Sequence, residues 1–165
     1  MEKRRIEGRE DAERLWRFDQ GIYAAAAALD PELYLAAAEL LPALNFRMGE
    51  GHLSCLPLTA AAYEGLREGR LHEGDLRRED LEMGVYVYLC SMYAENAEVG
   101  WEVFRALRGF LAEWTGVMGA YAVTAAGKKA CERLGMDVVR EDAEDGRRAG
   151  TEIVPVFLER RVDYS

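Results

Sequence analysis

The chain has 165 residues and a mass of 18.5 kDa, a length that predicts one domain, or one domain with a helical extension. Apolar residues make up 50% and charged residues 31%, which excludes disordered and collagen-like architectures. The net charge of −9 and the pI near 4.9 exclude nucleic-acid binding by phosphate neutralisation, and a polybasic membrane anchor with it.

No run approaches the roughly 18 apolar residues that cross a bilayer. Met1 to Gly8 runs into charge instead of an apolar segment, unlike a signal peptide. A cytoplasmic protein with no membrane and no nucleic-acid partner is therefore expected. Cys55, Cys90 and Cys131 form no C-x-x-C pair and are expected to be reduced thiols. His52 and His72 share no metal-ligand spacing, so no metal site is expected, and both are read as surface residues.

The first 43 residues are expected to be helical. From Asp11 to Leu29, Leu15, Phe18, Ile22 and Ala26 recur at three- and four-residue spacing, an amphipathic stripe. Asp30 and Pro31 open a second helix as N-cap and first helical residue, and the helix stops near Pro42. Asn45 to Gly51 is read as a loop and His52 to Leu58 as a short extended segment. Thr59 caps a helix from Ala60 to Glu68 that Gly69 closes, followed by a charged connector from Arg70 to Leu81.

Val85 to Tyr93, rich in β-branched and aromatic residues, is the clearest strand. A long helix follows, with Val99, Val103, Leu107, Phe110, Leu111 and Trp114 on one face. Val117 to Thr124 is a second strand and Ala125 to Leu134 a helix. Met136 to Arg140 is a third strand, and Glu152 to Leu158 a fourth after the charged turn Glu141 to Asp145. Strands alternating with helices predict an α/β fold with a mixed sheet, a βαβ unit followed by an antiparallel C-terminal hairpin. The expected organisation is a helical region over residues 1–51 and an α/β domain over residues 52–165, packed as one unit.

In open α/β sheets, ligands sit at the carboxyl ends of strands, where helix N-termini present N–H groups. The junction of that kind here is Ser91 to Trp101. Gly100 either lets the backbone approach a pyrophosphate or serves packing. Glu95 and Glu98 either repel a phosphate or suit the positive end of the helix dipole. Tyr86 and Tyr88 share one strand face and are read as core or cleft wall, while Tyr93 is the aromatic residue best placed to face a ligand.

The order strand, glycine-bearing loop, long helix, strand, helix, Leu-Gly, strand, strand resembles the C-terminal half of the GNAT superfamily of N-acetyltransferases. The closest string is Tyr121 to Met136, ending Cys131-Glu132-Arg133-Leu134-Gly135-Met136. The resemblance covers residues 83–160, and more loosely Leu56 to Thr59 as the opening strand and helix cap. It implies a mostly antiparallel mixed sheet with a central βαβ unit and two splayed strands. It further implies acetyl-CoA as co-substrate, held by Leu89, Cys90 and Ser91 on the freed strand edge, with Glu95, Val99, Gly100 and Trp101 at the loop and helix start and Thr124 at the end of the next strand. An amine, on a small molecule or a protein, would attack the thioester directly, and Cys131 stands at the family's leaving-group tyrosine, with Tyr93 a second catalytic candidate.

Three departures accompany the resemblance. If Gly100 fills the last position of the family's pyrophosphate loop, Glu95 replaces its leading Gln or Arg and Glu98 its first glycine. Cys131 replaces the tyrosine, and a hairpin between the Thr59 helix and the Val85 strand is missing. A second expectation follows from the two anions: a non-catalytic binding or interaction module that kept the fold and lost the pyrophosphate site. Self-association as a homodimer is compatible with either.

Overall fold

A computed structural model describes residues 2–22, 29–142 and 153–162. Its elements run β1 (Lys3–Arg5), α1 (Gly8–Ile22), α2 (Pro31–Leu40), β2 (Asn45–Met48), β3 (Gly51–Leu58), α3 (Ala60–Glu68), β4 (Tyr86–Tyr93), α4 (Ala97–Glu113), β5 (Gly116–Ala122), α5 (Ala125–Arg133), β6 (Asp137–Glu141) and β7 (Val156–Val162). The seven strands form one sheet in the order β1-β2-β3-β4-β5-β7-β6. Every neighbouring pair is antiparallel except β4–β5, the pair joined by α4.

Local signals account for most helix starts. Asp30 caps α2 by accepting from Glu32 N–H, with Pro31 at the first helical position. The Thr59 side chain accepts from Ala62 N–H at the start of α3, and Gly69, at φ 78°, ends it in the left-handed conformation that favours glycine. Asn96 and Thr124 cap α4 and α5 in the same manner.

The sheet carries a core on each face. One core joins α1, α2 and α3 to Leu56, Leu58, Tyr88, Val117 and Phe157; the other joins α4 and α5 to Leu53, Val87, Leu89, Met118 and Leu158. Period-two alternation along β3, β5 and β7 sorts the side chains between them. Val99, Val103, Leu107 and Leu111 are the buried stripe of α4, each contributing about 1.5–3 kcal/mol of burial.

The structure corrects four readings of the N-terminal half. Lys3–Arg5 is the opening strand in place of Leu56 to Thr59, which belongs to the interior strand β3 and its helix cap. Asn45–Met48, read as loop, is strand β2, because Asn45 uses its side chain to bind the main chain of Leu41 and Cys55 and so locks the β2–β3 hairpin in register. That hairpin precedes α3, so the two strands sought between α3 and β4 lie earlier in the chain. His52 is buried, 4% exposed, since it sits on the core face of β3. The end of the first helix beyond Ile22, the turn after Asp142 and Glu152 lie outside the described residues, and the last strand runs Val156–Val162 instead of Glu152 to Leu158, residues 153–155 being outside any strand. Among the described residues, no helix is long and apolar enough to cross a membrane.

Candidate active site

Strands β4 and β5 pair only from Tyr86–Val117 to Leu89–Ala120. Beyond that point β4 continues to Tyr93 and β5 to Ala122 with no further pairing between them, so the sheet opens there. A β-bulge assists the opening. On the β3 side Cys55 pairs with Leu89 but Ser54 pairs with Ser91, leaving Cys90 as the extra residue. A bulge bends its strand and breaks the in–out alternation. In consequence Cys90 and Ser91 both turn to the α1–α2 face, where Cys90 meets Glu73 and Ser91 meets Asp19. Tyr93 follows Ser91 to that face and leans on Phe18, ring centroids 4.6 Å apart, instead of alternating away from Tyr86 and Tyr88.

The opening is a cleft of about 100 Å³ lined by Leu89, Cys90 and Ser91 of β4, Ala120 to Ala122 of β5, Asp19 of α1 and Cys131 of α5. It continues into a groove of about 450 Å³ between α4 and α5, sharing Met92, Thr124 and Gly127 with it. Gly100, Trp101 and Tyr93 line the groove, with Arg133 on its α5 side. A Cβ on Gly100 would meet only Ala94 Cβ, at 3.4 Å; this glycine is therefore not required by packing, and its bare backbone faces the groove. Trp101 is 54% exposed, stacked near Phe104 with Arg105 over its ring.

Two expected contacts fall elsewhere. Val99 is buried in the core, and its N–H is taken by the Asn96 cap at 3.0 Å. Glu95 lines neither cavity; its carboxylate accepts from Glu50 N–H at 3.0 Å in the β2–β3 turn. Cys131 does line the cleft, but burial pushes its thiol up to about 12. A thiol that holds its proton so tightly is a poor acid toward a leaving thiolate of ordinary pKa, about 8.5.

Sequence reasoning missed the polar cluster on the α1 side of the cleft. Asp19 is 1% exposed. It accepts from Ser91 Oγ at 2.8 Å and from the Tyr34 hydroxyl, and His52 Nε2 lies 2.7 Å from Ser91 Oγ. Burial raises the Asp19 carboxyl to about 6 against the lowering effect of its two donors. Burial lowers His52 to about 4, with Arg14 and Arg47 acting in the same direction. Glu73, in the charged connector, is buried behind the cleft, where it accepts from Tyr88 at 2.6 Å and from Cys90 Sγ at 3.7 Å. The signal for Asp19 was in the sequence: a carboxylate four residues after Leu15 falls on the buried stripe of α1.

A mixed seven-stranded sheet opening between its one parallel pair, with the groove of the following helices leading into the gap, defines a GNAT-like, acyl-CoA N-acyltransferase-like fold. No protein-family model and no curated protein sequence matches the chain. Among solved structures, the GNAT-like decarboxylase GphF in complex with isobutyryl-CoA matches over 99% of this chain and 100% of that one, with a TM-score of 0.56 and 13% identity. At that identity the likeness establishes the fold.

Proposed function

We propose that the protein binds an acyl-CoA thioester in the cleft and groove and transfers the acyl group to an amine. The observation that supports this most is the end of β4–β5 pairing at Leu89–Ala120, with the groove running into it. A pantetheine arm laid along the open side of Leu89, Cys90 and Ser91 would complete the sheet as an added strand. Gly100, Trp101, Thr124 and Arg133 would line the rest of the CoA moiety, and Tyr93 would stand at the groove beside the thioester. The cleft volume suits a short acyl chain such as acetyl, and the comparison protein carries isobutyryl-CoA.

Decarboxylation, the activity for which that decarboxylase is named, would bring a carboxylate to the acyl end of the ligand. Asp19 lines this end and Glu73 lies behind Cys90, and buried like charges repel. An amine arrives as an ammonium and meets the opposite sign. The non-catalytic reading rested on Glu95 and Glu98. The turn of Glu95 toward Glu50 N–H weakens it.

Thermal unfolding with acetyl-CoA, isobutyryl-CoA and CoA tests binding. A ligand at 100 times its Kd adds about 2.7 kcal/mol, several degrees in Tm. No shift at millimolar acetyl-CoA and isobutyryl-CoA would sink the proposal and leave the non-catalytic reading standing.

A further inference from the structure

We infer that Asp19 is the catalytic base of this site, taking the proton that an ammonium acceptor must lose before it attacks the thioester. The inference rests on the acyl-transfer reading above. Asp19 projects from α1 and lines the cleft beside Leu89, Ser91 and Ala120. Donors from two other elements hold its oxygens: Ser91 Oγ of β4 on Oδ1 and the Tyr34 hydroxyl of α2 on Oδ2. Ser91 gives its single hydroxyl proton to Asp19, so its oxygen accepts from His52, 2.7 Å behind it on β3. His52 therefore carries its hydrogen on Nε2, and every hydrogen in the chain points toward the carboxylate. A carboxylate oxygen accepts more than one hydrogen bond, so each Asp19 oxygen keeps capacity for a substrate proton.

The surroundings tune this carboxylate for its task. Removal from water raises its pKa, and the bonds from Tyr34 and Ser91 bring it down, to about 6. A base works best near the pH at which it operates. The other titratable groups facing it are Tyr34 from α2, Cys90 from β4, Glu73 from the segment before β4, and His52 behind Ser91. Side-chain ligand atoms of Asp19, Glu73 and Cys90 lie within 4.8 Å of one another. His52 stays neutral, with Arg14 and Arg47 opposing its protonation.

The ammonium gives one proton to Asp19, and the amine lone pair forms the C–N bond at the thioester carbonyl. The C–S bond breaks with its electron pair going to sulfur, and the second amine proton ends on that thiolate. The products are an amide, CoA thiol and a protonated Asp19, which returns its proton to solvent.

Thiol release from acetyl-CoA and isobutyryl-CoA, measured against a polyamine, an arylalkylamine and an aminoglycoside from about pH 5 to 9, tests the assignment, with CoA binding followed by calorimetry. Asp19→Asn should bind CoA like wild type and lose at least about 100-fold in turnover. Ser91→Ala and Tyr34→Phe keep the base but remove a donor that favours its ionised form, so each should move the acid limb of kcat/KM upward; a merely structural role would leave that limb in place. Asp19→Asn turnover within about threefold of wild type, or a limb unmoved in both donor variants, overturns the assignment. Wild-type protein that binds no acyl-CoA, or binds it without amine-dependent thiol release, overturns the transfer reading beneath it.

Discussion

Ser91 Oγ stands 2.8 Å from Asp19 Oδ1, a hydrogen bond that joins the strand bordering the open cleft to a helix from the other end of the chain. It exists because the bulge at Cys90 turns Ser91 to the α1 face. The same bulge sends Tyr93 against Phe18 and His52.

Asp19 and His52 should oppose each other in the pH dependence of stability. The Asp19 carboxyl is raised from 3.8 to about 6, so its contribution is present below about pH 4 and lost as pH rises through 6. His52 is lowered from 6.5 to about 4, so its contribution is present above 6.5 and lost as pH falls through 4. Each is worth about 3 kcal/mol across its window. Relative to wild type, Asp19→Asn should therefore gain Tm near pH 7.5 and lose that gain near pH 4, whereas His52→Gln should gain most near pH 4. Parallel Tm curves for both variants and wild type would contradict this.

Gly100 and Gly51 should respond oppositely to a methyl group. Gly100 lies inside α4 with only Ala94 near its absent Cβ, so Gly100→Ala should raise stability by about 0.5–1 kcal/mol, while Gly100→Leu should abolish the Tm shift given by acyl-CoA. At Gly51 the Cβ would come within 2.5 Å of Val99 and 2.8 Å of the Tyr93 carbonyl. Gly51→Ala should cost about 1–3 kcal/mol in urea unfolding.

Trp101 offers a direct binding signal. Its ring is largely solvent-exposed on the groove, so Trp101→Ala should change Tm little and weaken CoA binding about fivefold, the equivalent of about 1 kcal/mol of aromatic contact. Wild-type fluorescence should change on CoA addition and the Trp101→Ala protein should lose most of that change. Equal affinities in a calorimetric titration would remove Trp101 from the site.

All three cysteines are buried, and burial raises each thiol, Cys131 to about 12. The folded protein should resist iodoacetamide near pH 8 and react at three sites once denatured. Cys131→Ala should keep thiol-releasing activity within a fewfold of wild type. A loss beyond about 100-fold would restore the acid role that its position suggested.

The elements from α3 onward were legible because their signals are local: caps at Thr59 and Gly69 around α3, β-branched residues in Val85 to Tyr93, and the apolar face of α4. Gly100 and Trp101 lie in the junction of strand end and helix start that the sequence marked, Thr124 was named through the family resemblance, and all three line the groove. The β2 strand was hidden because Asn45 to Met48 alternates too briefly to signal itself, and its register depends on hydrogen bonds from the Asn45 side chain to Leu41 and Cys55.

Composition and local periodicity by themselves determined an α/β chain with a βαβ unit, an acidic surface, and a candidate ligand junction at Ser91 to Trp101. Tertiary structure alone decided what stands across from that junction. Side-chain direction past a bulge cannot be read from alternation, and a contact spanning 72 residues, from Asp19 to Ser91, leaves no periodic trace. The cleft therefore draws its wall from the half of the sequence that looked like packing, because the N-terminal strands β1 to β3 join the same sheet beside β4 and α1 packs against the open end of β4.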